Sequence, residues 1–350
     1  MAKYDYAKRL ENMKERRHDG ELLKKAMLGQ YEILNESYEN INDTSTIKYV
    51  IGAMQPVSNN YTQNTFSQAE RVQNQLKKLK DEGYNYEFRY QGSVTNNTHI
   101  RAHSDIDILT LHLGFTTLES PQKPLNPYKG DPIQDLCDLR EDSYSILVDA
   151  FPTAEIDNKG AKSISLQGGS LTRKIDVVPS NWYDTVLYTK TQQEHYRGVM
   201  VLDYKQRKRI ANTPFYHNML LNNKDIATGG NYKKVVRLLK TLKADADIDI
   251  NLSSYDIAAL MYHMDDKNFF VGKSQLRLIQ KSLDYLRYVH QNFEFRNSLQ
   301  VPDESRRIFE PNRATNEDLW LLIIELDNVY QDLLNDLTGS VKGIDKEFVA

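Results

Sequence analysis

Apolar positions along this chain change period partway through. Over residues 1–37, Leu10, Met13, Leu22, Leu23, Met27 and Ile33 form an intermittent stripe with no proline, which predicts a helix buttressing a core. The polar run Asn40 to Thr46 breaks it, and residues 47–54 are a short apolar element. A second helix opens at Ser58-Asn59-Asn60 and runs to about Asp81, with Val72, Leu76 and Leu79 on one face. Alternation then takes over. Residues 86–91, 105–111, 163–167 and 171–178 read as strands; the last two form a hairpin through Gly168-Gly169, stopped by Pro179 with Trp182 and Tyr183 packed beneath. Between them, residues 114–130 are turn-rich, and 131–151 read as a helix with Ile133, Leu136, Leu139, Ile146 and Leu147 as core and Cys137 as a small buried apolar residue. From Asn212 onward only helical spacing recurs: residues 232–243, 256–264 and 316–337. The pattern predicts an α+β protein in two lobes. A sheet-bearing core with N-terminal buttressing helices occupies 1–210, a helical lobe 211–340, and a flexible tail 341–350.

Charge changes this picture little but excludes partners. The 350 residues carry 45 basic and 48 acidic side chains, a net charge of −3, which argues against a dominant nucleic-acid surface. The segment 196–215, with Lys205, Arg207, Lys208 and Arg209, reads as solvated, the alternative being an acceptor-nucleotide contact. A single cysteine excludes an internal disulfide and suits a reducing cytoplasm. No apolar run approaches the roughly 18 residues of a span, and no signal peptide is evident, so a cytoplasmic protein off the membrane is expected.

Candidate chemistry concentrates in one stretch. Gln91-Gly92-Ser93 ends a strand, and twelve residues after Ser93 comes Asp105-Ile106-Asp107-Ile108. Carboxylates at i and i+2 on a strand project from one face and repel; a divalent cation between them relieves that cost. Asp176, alone among β-branched residues in Lys174-Ile175-Asp176-Val177-Val178, completes a three-carboxylate cage if its strand pairs beside the first. Gly92 admits a phosphate without a Cβ in the way, and Ser93 adds a hydroxyl donor. His99 and His103, four apart, read as surface histidines in a loop rather than zinc ligands. The one Gly-Lys-Ser, at 272–274, has Lys267 where a phosphate-binding P-loop needs glycine.

Gly-Ser, a loop, hydrophobic-Asp-x-Asp-hydrophobic and a lone strand Asp resemble the nucleotidyltransferases of DNA polymerase β type. Arg237-Leu-Leu-Lys240 with Ser253-Ser254-Tyr255 narrows the resemblance to the branch of oligoadenylate synthetases, cyclic GMP–AMP synthase and bacterial cGAS/DncV-like nucleotidyltransferases (CD-NTases). It covers roughly residues 60–340. It implies a polymerase-β-like core whose mixed sheet carries the acids, plus a helical C-terminal lobe. Asp105, Asp107 and Asp176 would hold two Mg²⁺ ions, with Mn²⁺ able to substitute. Gln91, Gly92 and Ser93 would cradle phosphate. Lys240 or Arg237 would meet the donor's β/γ-phosphates, Ser254 would assist, and Tyr255 would stack on the base. The implied reaction joins nucleoside triphosphates, ATP among them, into a cyclic di- or trinucleotide second messenger for antiphage defence, read by a downstream effector. Residues 216–232 lack the Cys/His zinc insertion of the animal DNA sensor, so no activation by duplex DNA is expected. The C-terminal residue Ala350 permits conjugation to another protein. Two rivals share the fold: an RNA-tailing nucleotidyltransferase and a non-catalytic nucleotide-binding scaffold. Intact acids count against the scaffold, and weak basicity against RNA.

Overall fold

The computed structural model describes residues 2–17, 38–101, 105–272 and 274–347. Leu22, Leu23, Met27, Ile33, His103 and Ala350 lie outside the described residues, as does the expected course of the first helix beyond Arg17. The elements are α1 (Tyr6–Arg17), α2 (Ser45–Met54), α3 (Asn59–Leu76), β1 (Tyr86–Gln91), β2 (Ile106–Leu118), α4 (Pro132–Ala150), β3 (Glu155–Asp157), β4 (Ile164–Gly168), β5 (Leu171–Asp184) and α5 (Val186–Thr191). There follow β6 (Gly198–Asp203), β7 (Lys208–Asn212), α6 (Pro214–Ala227), α7 (Asn231–Asp245), α8 (Ser254–Tyr262), α9 (Gln275–Gln291), α10 (Phe293–Ser298) and α11 (Asn316–Glu347).

Two compact units emerge, and they differ from the expected partition. One is residues 59–220; the other joins 1–58 to 221–350. The N-terminal helices therefore belong with the helical unit rather than with the sheet. The reason lies in their partners. Arg9 pairs with Glu325 at 2.8 Å, Arg16 and the Tyr49 hydroxyl both meet Asp245, and the Tyr6 hydroxyl donates to Asp332 at 2.9 Å. Tyr49, Val50, Tyr232, Val235, Leu239, Leu260, Leu286 and Leu322 share that unit's buried core.

The sheet unit holds seven strands in the order β1-β2-β5-β4-β3, with β6 on β5 and β7 on β6. The β2–β5 pair is parallel and the others are antiparallel, the expected mixed sheet. A parallel pair needs a crossover, which begins with α4. Asp131 caps α4 by accepting from the amides of Ile133 and Gln134, and Pro132 opens it where no amide donor is needed. Ile106 and Ile108 face the core formed with Leu76, Leu79, Leu136, Leu139, Ile175 and Val177. The opposite face carries Leu109, Leu111, Val178, Trp182 and Val199.

Four boundaries depart from expectation. β2 continues to Leu118 instead of yielding to turns at Gly114; its pairing with β5 shifts register between His112 and Thr117. β5 continues through Pro179 to Asp184. Pro179 falls between the last pair with β4, at Val177, and the first with β6, at Ser180, so its missing amide hydrogen removes no bond from either antiparallel ladder. The basic stretch after 196 is a hairpin, β6–β7; Lys205, Arg207 and Lys208 are exposed, while Arg209 lies over the Phe115 ring at 5.7 Å. Finally, α11 runs to Glu347 where a flexible tail was expected from 341, since no proline interrupts it. Among the described residues, no helix is long and apolar enough to cross a membrane.

Candidate active site

Register places the acids. Asp107 on β2 stands opposite Asp176 on the parallel β5, and Gln91 on β1 stands opposite Asp107 from the other side. Alternation puts Asp107 and Asp176 on the face of Leu109, Leu111 and Val178, so one end of that face is acidic and the rest apolar. Gln91 Nε2 donates to Asp107 Oδ2 at 3.1 Å, and Asn212 Nδ2 donates to Gln91 Oε1 at 3.4 Å. Gln91 thus orients an acid through its own side chain. Ser163 Oγ donates to Asp176 Oδ1 at 3.4 Å. The loop bearing Ser163 is tied down by Arg140, fully buried, whose guanidinium donates to the carbonyls of Asn158, Gly160 and Ser163.

Electrostatics follow from this crowding. Burial, then the charge of Asp176 and that of Asp105, push the Asp107 carboxyl up to about 6, against the pull of Gln91 and Lys174. Lys174 answers the excess charge. Its ammonium donates to Asp105 Oδ2 and to Asp176 Oδ2, each at 3.1 Å. Burial works against its charge, but the bonds to the two acids outweigh it and raise its pKa above the ordinary lysine value. Among the described residues, no three His, Cys, Asp or Glu side chains stand as a finished metal cage. The residues expected to form one are gathered, but an ammonium bridges two of them. Their chemistry nevertheless fits a hard divalent cation: the donors are all carboxylate oxygens, and the Asp107 carboxyl, raised first by burial and then by the charge of Asp176, would be eased by a cation beside it.

The loop after β1 is a tight turn that needs its glycine. Gly92 has φ +104, a conformation that side-chain-bearing residues rarely adopt, and a Cβ there would stand 3.6 Å from the Asp105 carbonyl oxygen and 3.9 Å from Asp107 Oδ2. The Gly92 carbonyl accepts from the Thr95 amide at 3.1 Å, and that of Ser93 from the Thr98 amide at 3.1 Å, winding a tight turn over the acids. Asn218 of α6 clamps this turn: it donates to Thr95 Oγ1 at 2.9 Å and accepts from Asn96 Nδ2 at 3.0 Å. His99, expected on the surface, is 2% exposed with its Nε2 on Thr62 Oγ1 at 3.1 Å. It serves the loop's packing.

The remaining expected residues lie in the helical unit. Arg237 is 5% exposed and its Nε donates to the Met54 carbonyl at 2.9 Å; burial pulls its pKa down to about 10. That bond ties α7 to the end of α2. Lys240 is 6% exposed on the same helix. Ser253 is the N-cap of α8, accepting from the Asp256 amide at 3.0 Å, and Ser254 begins the helix exposed. The Tyr255 hydroxyl donates to Asp303 Oδ1 at 3.4 Å, and the Arg306 guanidinium lies 5.3 Å from its ring centre.

Lys174, Ser163 and Asn218 are the site residues that sequence reasoning missed. For Lys174 the i, i+2 spacing puts it on the face of Asp176, but its bond to Asp105 depends on the β2–β5 register, which the sequence does not carry. Asn218 has no such signal, because the turn it clamps is remote in sequence.

Comparison with known proteins bears on the family and the fold. Residues 219–331 match the family profile described as the cGAS/DncV-like nucleotidyltransferase C-terminal helical domain. The chain is 39% identical over 335 residues to a cyclic dinucleotide synthase CdnE from Yersinia aleksiciae, covering 94% of this chain and 87% of that protein. It superposes with TM-score 0.74 at 27% identity on a STING-associated CdnE c-di-GMP synthase from Capnocytophaga granulosa, covering 95% and 99% of the two chains. A second STING-associated CdnE c-di-GMP synthase, from Flavobacteriaceae sp., shares the fold with TM-score 0.78 at 24% identity and 95% and 99% coverage. With the acids paired across β2 and β5 and these relatives spanning nearly its whole length, the chain belongs to the bacterial cGAS/DncV-like nucleotidyltransferases.

Proposed function

We propose that this nucleotidyltransferase joins two nucleoside triphosphates, without a template, into a cyclic dinucleotide second messenger that a downstream effector reads in antiphage defence. The observation that carries the reading is the Asp107–Asp176 pair beneath the Gly92 turn, an acidic floor under an anion cradle. Family membership brings divalent metal use; we assign two Mg²⁺ ions, replaceable by Mn²⁺, to Asp105, Asp107 and Asp176. When bound, such ions polarise the phosphate and lower the pKa of the attacking hydroxyl. The protein's own groups do the rest. The Gly92-Ser93 turn fixes the donor phosphates by backbone amides and the Ser93 hydroxyl, while Gln91 and Ser163 hold the Asp107 and Asp176 carboxylates in their rotamers. Asp176 accepts the hydrogen of the attacking nucleotide hydroxyl, which then displaces pyrophosphate from the α-phosphate in line. Lys240 and Ser254 take the triphosphate, and Tyr255 the donor base. Ring closure repeats the transfer after the linear intermediate reorients. ATP is among the substrates, duplex DNA is no activator, and the enzyme works in the cytoplasm.

The test is an incubation of the full chain with labelled ATP, GTP, CTP and UTP and Mg²⁺ or Mn²⁺, without nucleic acid, followed by phosphatase. A phosphatase-resistant product of two nucleotides is expected, and omitting one base at a time names it. Labelled tails on added RNA, with no small product, would turn the reading to RNA tailing. Nucleotide binding without any product would turn it to a scaffold.

A further inference from the structure

Lys174 stands where the site least needs a permanent cation. Continuing the register of Asp107 with Asp176 two residues back sets Lys174 across from Asp105, so strand pairing itself delivers the ammonium between Asp105 and Asp176. Its side chain is 37% exposed, and that of Asp105 52%. An ammonium on a flexible four-carbon stem, bound at a half-open edge, leaves for water at little cost, unlike a buried arginine fork. A divalent ion drawn to the same carboxylate oxygens would meet a like charge at the same point. Bridge and metal are therefore mutually exclusive.

We infer that Lys174 is a resident counter-cation: it neutralises and gathers Asp105 and Asp176 in the metal-free enzyme, and divalent metal must displace it to assemble the site. This rests on the assignment of those acids as metal ligands. It makes Lys174 a positioning residue with a regulatory consequence, because metal affinity carries the cost of opening the bridge.

The experiment titrates Mn²⁺ alone into the full chain, read by the paramagnetic resonance of free Mn²⁺, with thermal unfolding of the metal-free protein in parallel. Lys174→Met keeps the stem and removes the charge; it is expected to tighten Mn²⁺ binding by about fivefold or more. It should also lower the metal-free Tm, since Asp105 and Asp176 then repel, and saturating Mn²⁺ should recover the loss. Lys174→Arg, which keeps the charge, should stay near wild type in both. If Lys174→Met does not fold, Lys174→Gln replaces it with the same expectations. Unchanged or weaker Mn²⁺ binding by the neutral variants overturns the inference. Asp105→Ala separates this failure from a failure of the site itself. If it binds Mn²⁺ like wild type, the metal assignment falls and the inference with it. If it loses Mn²⁺ while the neutral variants match wild type, the inference alone falls.

Discussion

Asp107 on β2 and Asp176 on β5 are direct partners across a parallel strand pair. Neighbouring strands lie about 4.8 Å apart, so two like-facing carboxylates at one register position cannot ignore each other. The stabilisation that apolar β2 and β5 provide elsewhere along the same face, through Leu109, Leu111 and Val178, holds them together despite that repulsion. The site is a strained patch carried by a well-packed sheet.

That strain has a pH signature in the metal-free protein. The Asp107 carboxyl is raised from 3.8 to about 6 by burial and by Asp176. Below 3.8 it is protonated whether the chain is folded or not. Between 3.8 and about 6 the unfolded chain gives up the proton first, so this group's contribution to stability falls as pH rises, and stays lost above about 6. Asp107→Asn removes the charge and keeps an acceptor for Gln91. It should stabilise the metal-free protein by about 2–3 kcal/mol at pH 8 and by almost nothing below pH 3.8. Urea unfolding across the pH range checks it; a gain independent of pH would mean that Asp107 carries no such penalty.

Asp176→Asn should do the opposite kind of damage. Its amide cannot accept the hydroxyl proton or bind metal as a carboxylate, so product formation should fall by at least about 10³-fold with the fold retained. Turnover near that of wild type would remove Asp176 from the chemistry.

Gly92→Ala tests the turn. The added Cβ has room, with nothing nearer than 3.6 Å, so the cost is backbone conformation: about 1–3 kcal/mol for a non-glycine residue forced to φ +104. Denaturant unfolding should show that loss, and KM for the donor should rise as the turn relaxes. A variant with wild-type KM would separate the turn from phosphate binding.

Asn218→Ala should act on the same turn from outside. It removes the clamp on Thr95 and Asn96 while touching neither the acids nor the Gly92 backbone. KM for nucleotide should rise about three- to tenfold with kcat within a factor of about two, the pattern of lost ground-state positioning. A fall in kcat at unchanged KM would show that the clamp acts on the chemical step.

Much of this was legible in the residues. The Gly92-Ser93 loop, the i, i+2 acids and the β5 hairpin position of Asp176 follow from alternation and turn chemistry, because a strand's period of two assigns faces without knowledge of the fold. Three things were not. The N-terminal helices look the same whether they pack on the sheet or on the helical unit; only ion pairs such as Arg9–Glu325, between residues remote in sequence, decide it. Pro179 reads as a strand stop, but its position between two antiparallel partners makes it harmless. Lys174 reads as an ordinary strand lysine until register sets it across from Asp105. Each miss is a property of pairing, which local pattern does not carry.

Arg237 and Lys240 sit one helical turn apart on α7, and sequence alone offered either as the phosphate contact. Arg237 gives its Nε to the Met54 carbonyl within the helical unit, so Arg237→Met should leave that carbonyl short of a donor and cost about 1–3 kcal/mol of stability. Lys240→Ala should instead raise KM for the donor about tenfold with kcat little changed, because a triphosphate contact made equally in ground and transition states is uniform binding. Chemical unfolding and initial rates on the two purified variants distinguish these signatures. If Arg237→Met raises KM more than Lys240→Ala does, the triphosphate contact moves to Arg237, and its bond to Met54 must open when nucleotide binds.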